Sequence, residues 1–478
     1  MRELSTADLA AVTSGTLVGP IVTVGPDVVI DTRLASPGCL FVALPGERVD
    51  GHDFTGAAAE AGAAAVLASR TTDAPLPHVI VDDPVAGLSA LAHHVVTTAD
   101  DLTVFAITGS SGKTSTKDLL AQVLESDAPT VSPVGSFNNE IGVPLTACKV
   151  GPQTRYLVSE MGARGIGHVA WLCSIVPPEI SLVLNVGTAH IGEFGTREVI
   201  AQAKGEIVEA LTPDGWAVLN ADDPLVASMA SRTRGRVAWF SVGTEPPVDA
   251  ALSVRALDIE GNDLQQFSFT LAVTGSDQAA EAHAVHLQGM GRHQVANAVA
   301  AAAAAIAAGL APAAVATALS AATSRSRWRM ELARAAGGAV IINDAYNANP
   351  DSMLAAITTL AEVASARRLT HPDCRAVAIL GDMLELGEES ASLHATVGRQ
   401  VAAAGVDVLL SVGDFADDMV AGAGALGDRA RAVAFGEVVT SVDLLASDVV
   451  LVKASRGIGL ERIVEALAAE APGAGEEQ

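Results

Sequence analysis

Short runs rich in Val, Ile and Leu alternate with alanine-rich stretches along almost the whole chain of 478 residues. This alternation is typical of α/β proteins, in which helices cover the faces of a largely parallel sheet. Only 3% of the residues are aromatic, so Ala, Val, Leu and Ile on closely packed elements are expected to fill the cores. The length predicts about three domains, because one ordinary core does not accommodate so long a chain.

The predicted strands divide the chain into three segments. Residues 1–100 are predicted to form a small N-terminal α/β domain. Residues 101–323 are predicted to form a central P-loop ATPase-like domain with a mostly parallel sheet, joined by antiparallel strands within residues 252–287, where polar and apolar residues alternate. Residues 324–478 are predicted to form a Rossmann-like domain, with residues 432–435 as one of its strands.

The composition excludes broad classes of partner. With 55 acidic and 29 basic residues the net charge is -26, whereas nucleic acids and anionic membranes are bound by basic faces. A few local Lys, Arg and backbone N–H groups can still hold a phosphate. The four cysteines lie far apart without metal-ligand spacing, which favours reduced, buried thiols.

No targeting segment is expected. The first residues lack a basic region followed by an apolar stretch, so the sequence predicts a cytoplasmic protein. The most apolar run, residues 298–313, is mostly alanine and contains Gly309 and Pro312. It is interpreted as a packed helix and not as a membrane span.

Residues 108–114, Thr-Gly-Ser-Ser-Gly-Lys-Thr, follow a predicted strand and open a predicted helix. In this context glycines let backbone N–H groups approach phosphate oxygens, and Lys113 adds a positive charge. The hydroxyl of Thr114 can ligate Mg²⁺. Ile107 stands where the common P-loop pattern has its first glycine, and this shorter loop marks a set of ATP-dependent ligases. The alternative, a Gly/Ser turn before an ordinary helix, is disfavoured by the strand–loop–helix context.

Unusual polar residues follow two other predicted strands of this segment, Glu160 after one and His190 after the next. Each alone could be a solvated or half-buried side chain. On the same sheet edge as a phosphate loop, they become candidate Mg²⁺ ligands. Between them and the loop, Asn138 and Asn139 could either make turns or hydrogen-bond a polar substrate.

Nine motifs occur in a fixed order: TGSSGKTSTK, GSFNNEIGVP, EMGARGIGHV, NVGTAHIGEFGT, AQAKGEI, GMGRHQVANAVAAAA, NDAYNANPDSM, GDMLELG and LVKASR. Their order and spacing resemble the Mur ligase family of peptidoglycan synthesis. The segment DTRLASPGCLFVALPGERVDGHDF resembles that family's uridine-binding domain. The resemblance covers nearly the whole chain and is weakest over residues 252–287 and the last residues.

The resemblance implies an ATP-dependent amide ligase. Such an enzyme would add D-alanyl-D-alanine to UDP-N-acetylmuramoyl-tripeptide through an acyl phosphate, releasing ADP and phosphate. The third amino acid of the tripeptide, lysine or diaminopimelate, stays open, and a monomer is the default expectation.

The resemblance also implies a nucleotide site. Asn297 would lie near the adenine, while Arg329 and Asp344 would reach the phosphates and the ribose from the third domain. Arg327 is a rival to Arg329, because the family's usual Pro-Gly-Arg or Pro-Trp-Arg is here Ser-Arg-Trp-Arg. The residues implied to hold the ATP phosphates are Gly109, Ser110, Ser111, Gly112, Lys113, Thr114 and Ser115.

By the same resemblance, Thr114, Glu160, His190 and Lys204 would surround two Mg²⁺ ions. Lys204 would react with CO₂ and bind the second ion as a carbamate. From the residues alone a lysine on a helix is a solvated charge, so this role comes from the family match.

The implied substrate residues fall into three groups. Thr32, Arg33 and Arg48 would hold the UDP part, and Asn138 and Asn139 the muramoyl-peptide. Tyr346 and Asn347 share a motif with Asp344, and Lys453, Ser455 and Arg456 are candidates for the D-alanyl-D-alanine end. For the last three, an unspecific anion site at a helix start is the alternative.

Four alternative functions fit parts of the sequence less well than a dipeptide ligase does. A sister ligase that adds a single amino acid and a folylpolyglutamate synthetase both belong to the same superfamily, but GSFNNEIGVP and NDAYNANPDSM favour the dipeptide ligase. A P-loop regulator would need neither the metal set nor a uridine-binding domain. An inactive scaffold is disfavoured, since no required motif residue is missing.

Overall fold

The computed structural model describes residues 1–46, 49–187, 196–262, 265–276 and 278–469. Within these residues the strands form three larger sheets, one in each of the three predicted segments, and one two-stranded pair near the start. Helices cover the sheets, so the predicted α/β class and its three-part architecture are confirmed. The domain boundaries at residues 100 and 323 stay a prediction.

The first sheet has the strand order β2-β7-β6-β5-β4, and all its pairs are parallel except β2–β7. Asp83 caps the helix α3 by accepting a hydrogen bond from the Val85 N–H, and Pro84 occupies its first turn. The elements of this part are β1 (Leu4–Ser5), α1 (Thr6–Val12), β2 (Thr16–Val18), β3 (Thr23–Val24), β4 (Val28–Val29), β5 (Leu40–Val42), α2 (Thr55–Glu60), β6 (Ala65–Ala68), β7 (His78–Ile80) and α3 (Pro84–Thr97).

The central sheet has nine described strands in the order β16-β15-β14-β13-β12-β11-β8-β10-β9. Its elements are β8 (Thr103–Thr108), α4 (Lys113–Glu125), β9 (Thr130–Val131), α5 (Gly142–Ala147), β10 (Tyr156–Glu160), α6 (His168–Ile175), β11 (Ile180–Val183), α7 (Arg197–Glu209), β12 (Trp216–Asn220), α8 (Pro224–Ala227), β13 (Arg236–Ser241), β14 (Leu252–Gly261), β15 (Gln266–Gly275), β16 (Gln278–Met290), α9 (His293–Ala307) and α10 (Pro312–Ala321).

From β9 to β14 in this spatial order, which includes β8, neighbouring strands pair in parallel. Strand β15 pairs antiparallel with both β14 and β16. The antiparallel strands predicted within residues 252–287 are therefore confirmed. Strand β8 lies between β10 and β11, so the strand order reverses on either side of it. Ligands of open α/β sheets bind at such a crevice beyond the carboxyl ends of the strands.

The alanine-rich run is a packed element, as predicted, but it is two helices and not one. Helix α9 ends at Ala307, Gly309 adopts φ +99°, and Pro312 opens α10. Ala298 and residues 300–305 are fully buried, because their small side chains let α9 lie close to the sheet and α4. Among the described residues no helix is long and apolar enough to cross a membrane.

The third sheet has six described strands in the order β17-β18-β22-β19-β20-β21, parallel except for β17–β18. Its elements are β17 (Glu331–Arg334), β18 (Val340–Asp344), α11 (Pro350–Arg368), β19 (Ala376–Gly381), α12 (Ser390–Ala403), β20 (Val408–Val412), α13 (Ala416–Gly422), β21 (Ala430–Ala432), α14 (Val438–Ser441), β22 (Val449–Lys453) and α15 (Glu461–Ala468).

One predicted strand of this sheet is wrong. Residues 432–435 were expected to be extended, but β21 is Ala430–Ala432, and Phe435–Glu437 form a 3₁₀ turn. The edge strand pairs with β20 from Leu409 to Ser411, and the apolar residues that follow pack into the core as the chain turns away. The apolar run therefore predicts correctly that these residues pack against the core, but it predicts the wrong backbone conformation.

Candidate functional site

The loop after β8 is shaped as the sequence predicts for a phosphate-binding loop. Gly112 precedes α4 with φ +79°, a conformation that side chains rarely adopt. A Cβ at this position would lie 2.5 Å from the Oδ1 of Asn297 on α9. Asn297 Oδ1 accepts a hydrogen bond from Thr116 at 3.3 Å, which ties α9 to α4 beside the loop. Only glycine fits this close approach.

Asn185, which follows β11, braces the loop from the neighbouring strand. Its Oδ1 accepts a hydrogen bond from the Ser111 N–H at 2.9 Å, and its Nδ2 donates to the Ser111 carbonyl at 3.2 Å. Its own carbonyl accepts from the Ser110 N–H at 3.1 Å. The sequence interpretation did not single out Asn185, although a polar residue ending the strand beside β8 was a usable signal.

Four predicted residues meet at the start of α4: Lys113, Thr114, Glu160 and Asn138. The Lys113 ammonium donates to the Gly109 carbonyl at 2.7 Å, which curls it over the loop. Thr114 donates to Glu160 Oε2 at 3.0 Å, and Asn138 donates to Glu160 Oε1 at 2.7 Å. Burial lowers the pKa of Lys113, and the nearby Glu160 carboxylate partly opposes this. A lysine, a hydroxyl and a buried carboxylate thus face one space.

Lys204 lies on α7 and is only 3% exposed. It belongs to the apolar stripe of the helix, with Ile200, Ala203, Ile207 and Val208, at the 3- and 4-residue spacing of a buried face. The stripe was readable in the sequence, so the expectation of a solvated lysine from the residues alone is wrong. Burial, followed by the charge of Lys113, holds the pKa of Lys204 well below its ordinary value.

The third domain reaches the same space. Arg329 donates to the Thr114 hydroxyl at 3.2 Å and stacks 4.2 Å from the centre of the Tyr346 ring. Its Nε is buried and has no hydrogen-bond partner among the described residues. Arg327 is exposed and lies beside the Trp328 ring at 5.4 Å. Geometry thus favours Arg329 over its rival as the group facing the loop.

Asp344 and Lys453 form an ion pair at the carboxyl ends of β18 and β22. Lys453 is 2% exposed and donates to Asp344 Oδ2 at 2.6 Å and to the Asn347 carbonyl at 2.7 Å. Burial lowers the pKa of Lys453, and Asp344 opposes this effect. The pair fixes two adjacent strand ends and leaves Asp344 half-buried at the cavity.

A cavity of about 550 Å³ lies between the central and third domains. It brings together residues that are up to 343 positions apart in the sequence. The predicted site residues on its wall are Ser110, Ser111, Gly112, Lys113, Thr114, Ser115, Asn138, Asn139, Glu160, Lys204, Asn297, Arg329, Asp344, Tyr346, Asn347 and Lys453.

Other predicted residues lie elsewhere. Thr32 and Arg33 form part of an exposed 3₁₀ turn in the first domain, where Arg33 pairs with Asp31. Ser455 is buried and accepts a hydrogen bond from the Leu384 N–H at 2.9 Å, away from the cavity wall. Arg456 stacks over Trp328 at 4.2 Å and pairs with Glu461. Arg48 and His190 lie outside the described residues.

The residues present suit a nucleotide and a hard cation. The unpartnered Arg329 Nε and the curled Lys113 provide donors for phosphate oxygens. The Thr114 hydroxyl and the Glu160 carboxylate provide oxygen ligands of the kind Mg²⁺ prefers. Among the described residues, no three or more His, Cys, Asp or Glu side chains lie close enough together to hold a metal ion. A metal site here would therefore depend on further ligands such as Lys204 or His190.

Fold and site together define a multidomain P-loop protein, with a cavity between two domains that suits a nucleotide. Three family models match in order: the Mur ligase family catalytic domain over residues 27–97, the Mur ligase middle domain over 107–305 and the Mur ligase glutamate ligase domain over 328–456. The chain belongs to the Mur ligase family, which confirms the resemblance stated from its motifs.

Relatives within the family share the whole architecture. UDP-N-acetylmuramoyl-tripeptide–D-alanyl-D-alanine ligase of Mycobacterium bovis is 41% identical, over 98% of each chain. A crystal structure of MurF from Acinetobacter baumannii superposes with a TM-score of 0.82 at 29% identity, covering 98% of this chain and 99% of the other. MurF ligase from Thermotoga maritima in complex with ADP has a TM-score of 0.72 at 27% identity, over 92% and 97%.

Proposed function

We propose that the chain joins D-alanyl-D-alanine to UDP-N-acetylmuramoyl-tripeptide with ATP, in cytoplasmic peptidoglycan precursor synthesis. The relatives that match along their whole length carry this name. The observation that carries the proposal is the Thr114–Glu160 pair beside Lys113, with Arg329 of the third domain bonded to the same Thr114 hydroxyl. This arrangement places phosphate-binding groups against a space large enough for a peptide end.

The chemical difficulty is that a carboxylate is a poor electrophile. An oxygen of the tripeptide's terminal carboxylate attacks the γ-phosphorus of ATP, and the bond from that phosphorus to the β,γ-bridging oxygen breaks to release ADP. The amine of D-alanyl-D-alanine then attacks the acyl carbon and loses a proton. The tetrahedral intermediate expels phosphate and leaves an amide.

The phosphate loop and the third domain would stabilise this transfer. Phosphoryl transfer depends on positioning and on charge neutralisation, because the protein contributes little covalent chemistry. Lys113 and Arg329 would both donate to the transferred group, because Lys113 curls over the loop and Arg329 contacts the adjacent Thr114. Asn297 would lie on the nucleotide side, and Asp344 near the ribose.

Two Mg²⁺ ions would bind at Thr114, Glu160 and Lys204, together with His190, and would neutralise charge on the transferring phosphoryl group. The fit rests on the Thr114 hydroxyl held 3.0 Å from a Glu160 oxygen. The low pKa of buried Lys204 favours an unprotonated amine. Such an amine attacks CO₂, forms an N–C bond and loses a proton, which gives a carbamate with two oxygen ligands.

The peptide-binding roles follow from position. Asn138 and Asn139 lie on the cavity wall beside Glu160 and would contact the muramoyl-peptide. Tyr346, Asn347 and Lys453 line the same cavity from the third domain and would contact the dipeptide. For Thr32, Arg33 and Arg48 the uridine-binding role rests on the family resemblance, as does the dipeptide role of Ser455 and Arg456.

The test is phosphate release from ATP and Mg²⁺ with the UDP-muramoyl-tripeptide, with and without D-alanyl-D-alanine. Release that requires both substrates and yields a UDP-muramoyl-pentapeptide is expected. Release that ignores the dipeptide and requires a single amino acid would move the chain to a sister ligase. ATP binding without substrate-dependent release would contradict a ligase altogether.

A further inference from the structure

An ion pair beside the cavity, with one member on the cavity wall, has no part in the mechanism above. Arg164 lines the cavity, and its Nη1 lies 3.0 Å from Glu140 Oε1. The two residues come from loops that pack together, since the Gly162 N–H donates to the Asn138 carbonyl at 2.8 Å. The same loops carry Asn138 and Glu160, so the pair adjoins the place proposed for the reacting carboxylate.

The pair is only partly satisfied. Glu140 Oε2 is buried and has no hydrogen-bond partner among the described residues, with His168 Nε2 at 3.7 Å. Burial lowers the pKa of His168, so its ring is mainly neutral at pH 7 and does not neutralise this oxygen. The Arg164 side chain is 60% exposed, which leaves guanidinium N–H groups open to the cavity. A free acceptor and free donors therefore lie side by side.

The loop with Arg164 is anchored to the helix of Lys204. Glu206, on the same helix α7, accepts hydrogen bonds from the N–H groups of Gly167 at 2.6 Å and Ala170 at 2.9 Å. These contacts fix the start of α6, which begins with His168, against α7. The loop that carries Arg164 therefore connects two packed elements, β10 and α6.

In the proposed function the reacting carboxylate belongs to the third residue of the tripeptide. The side chain of that residue leaves from the carbon that bears the carboxylate, so its end must lie in the same cavity. A lysine side chain ends in an ammonium group, whereas a diaminopimelate side chain ends in an ammonium and a carboxylate. Only the second offers a partner both to Glu140 and to Arg164.

We propose that Glu140 and Arg164 bind the zwitterionic end of diaminopimelate and make the chain selective for a tripeptide that contains it. This inference rests on the proposed function. Glu140 accepts from the ammonium group, and Arg164 donates to the carboxylate. With lysine as the third residue, Glu140 keeps its partner while the guanidinium faces a like charge.

The test is kcat/KM for the two UDP-muramoyl-tripeptides, with diaminopimelate or lysine as the third residue, in the wild type and two variants. The wild type is expected to prefer diaminopimelate about 10- to 100-fold, as for one charge-assisted hydrogen bond. Arg164→Gln removes the partner of the substrate carboxylate, so the KM for the diaminopimelate substrate rises. The two kcat/KM values are then expected to become nearly equal. Glu140→Gln removes the partner of the substrate ammonium group and leaves the Arg164 charge unneutralised. The kcat/KM for the lysine substrate is then expected to fall more than that for the diaminopimelate substrate, so the preference for diaminopimelate increases.

Arg255→Gln is the matched control. Arg255 forms an ion pair with Glu245 at the same 3.0 Å distance, far from the cavity, and the variant should keep the wild-type preference. A purely structural ion pair would shift both substrates alike in both variants, which would overturn the inference. A wild type without preference, or one that prefers lysine, would overturn it as well. Turnover of neither substrate would instead overturn the proposed function, and this inference with it.

Discussion

The side chain of Arg329, in the third domain, donates a hydrogen bond to the hydroxyl of Thr114, which follows the phosphate-loop lysine, at 3.2 Å. The two residues are more than 200 positions apart, and both line the cavity between the domains. The Tyr346 ring supports the guanidinium at 4.2 Å. A cation so placed would meet the ATP phosphates beside Lys113.

Arg329→Gln is therefore expected to lower kcat/KM for ATP by about 10- to 100-fold, because a charge-assisted hydrogen bond to phosphate is lost. Arg327→Gln is the control, since Arg327 is exposed beside Trp328 and does not line the cavity. Steady-state kinetics with varied ATP measure both. Equal losses in the two variants would mean that Arg329 has no special role at the phosphates.

Gly112→Ala is expected to lower the free energy of unfolding by about 1–3 kcal/mol and to weaken ATP binding. The added methyl would sit 2.5 Å from Asn297 Oδ1 on a backbone with φ +79°. Gly436→Ala adds the same methyl in open space and should change stability by less than about 1 kcal/mol. Chemical denaturation and nucleotide titration measure the pair. An unaffected Gly112→Ala would contradict the tight cradle.

The buried amine of Lys204 has a measurable effect on stability in CO₂-free buffer. Between its lowered folded-state pKa and the ordinary value of 10.5, the unfolded chain binds more protons than the folded one. Wild-type stability therefore rises with pH through this window. Lys204→Met removes the cost of the buried charge and should be more stable than the wild type at low pH, with a gap that narrows towards pH 10.5.

Denaturant titrations at several pH values measure this gap, and exposed Lys149→Met serves as the control that should follow the wild-type profile. A constant difference between Lys204→Met and the wild type across the pH range would show that the amine is not desolvated in the folded protein.

Much of the fold could be predicted from local patterns. The order of strand, loop and helix around residues 108–114 was predicted correctly, because an apolar run, a glycine-rich turn and a helix start follow one another there, with β8 ending at Thr108 and α4 beginning at Lys113. The strand expected at residues 432–435 failed, since a short apolar run reports burial and not conformation. The helix of Lys204 carried a readable apolar stripe, with the lysine inside it.

The site was harder to predict because its contacts join distant parts of the chain. The brace from Asn185 to Ser111 spans 74 positions, and the contact from Arg329 to Thr114 spans 215. A local sequence pattern does not predict which distant side chains come into contact. The family resemblance supplied that information for Arg329, while the unsatisfied oxygen of Glu140 became visible only in three dimensions.

In the proposed reaction the tripeptide carboxylate becomes an acyl phosphate in the cavity that Lys113 and Arg329 line. The most direct test uses UDP-muramoyl-tripeptide with both oxygens of its terminal carboxylate labelled with ¹⁸O. The account predicts that each turnover with ATP and D-alanyl-D-alanine transfers one labelled oxygen to inorganic phosphate and leaves the other in the new amide. Mass spectrometry of the phosphate reads this out. Phosphate free of ¹⁸O, despite formation of the pentapeptide, would contradict the account.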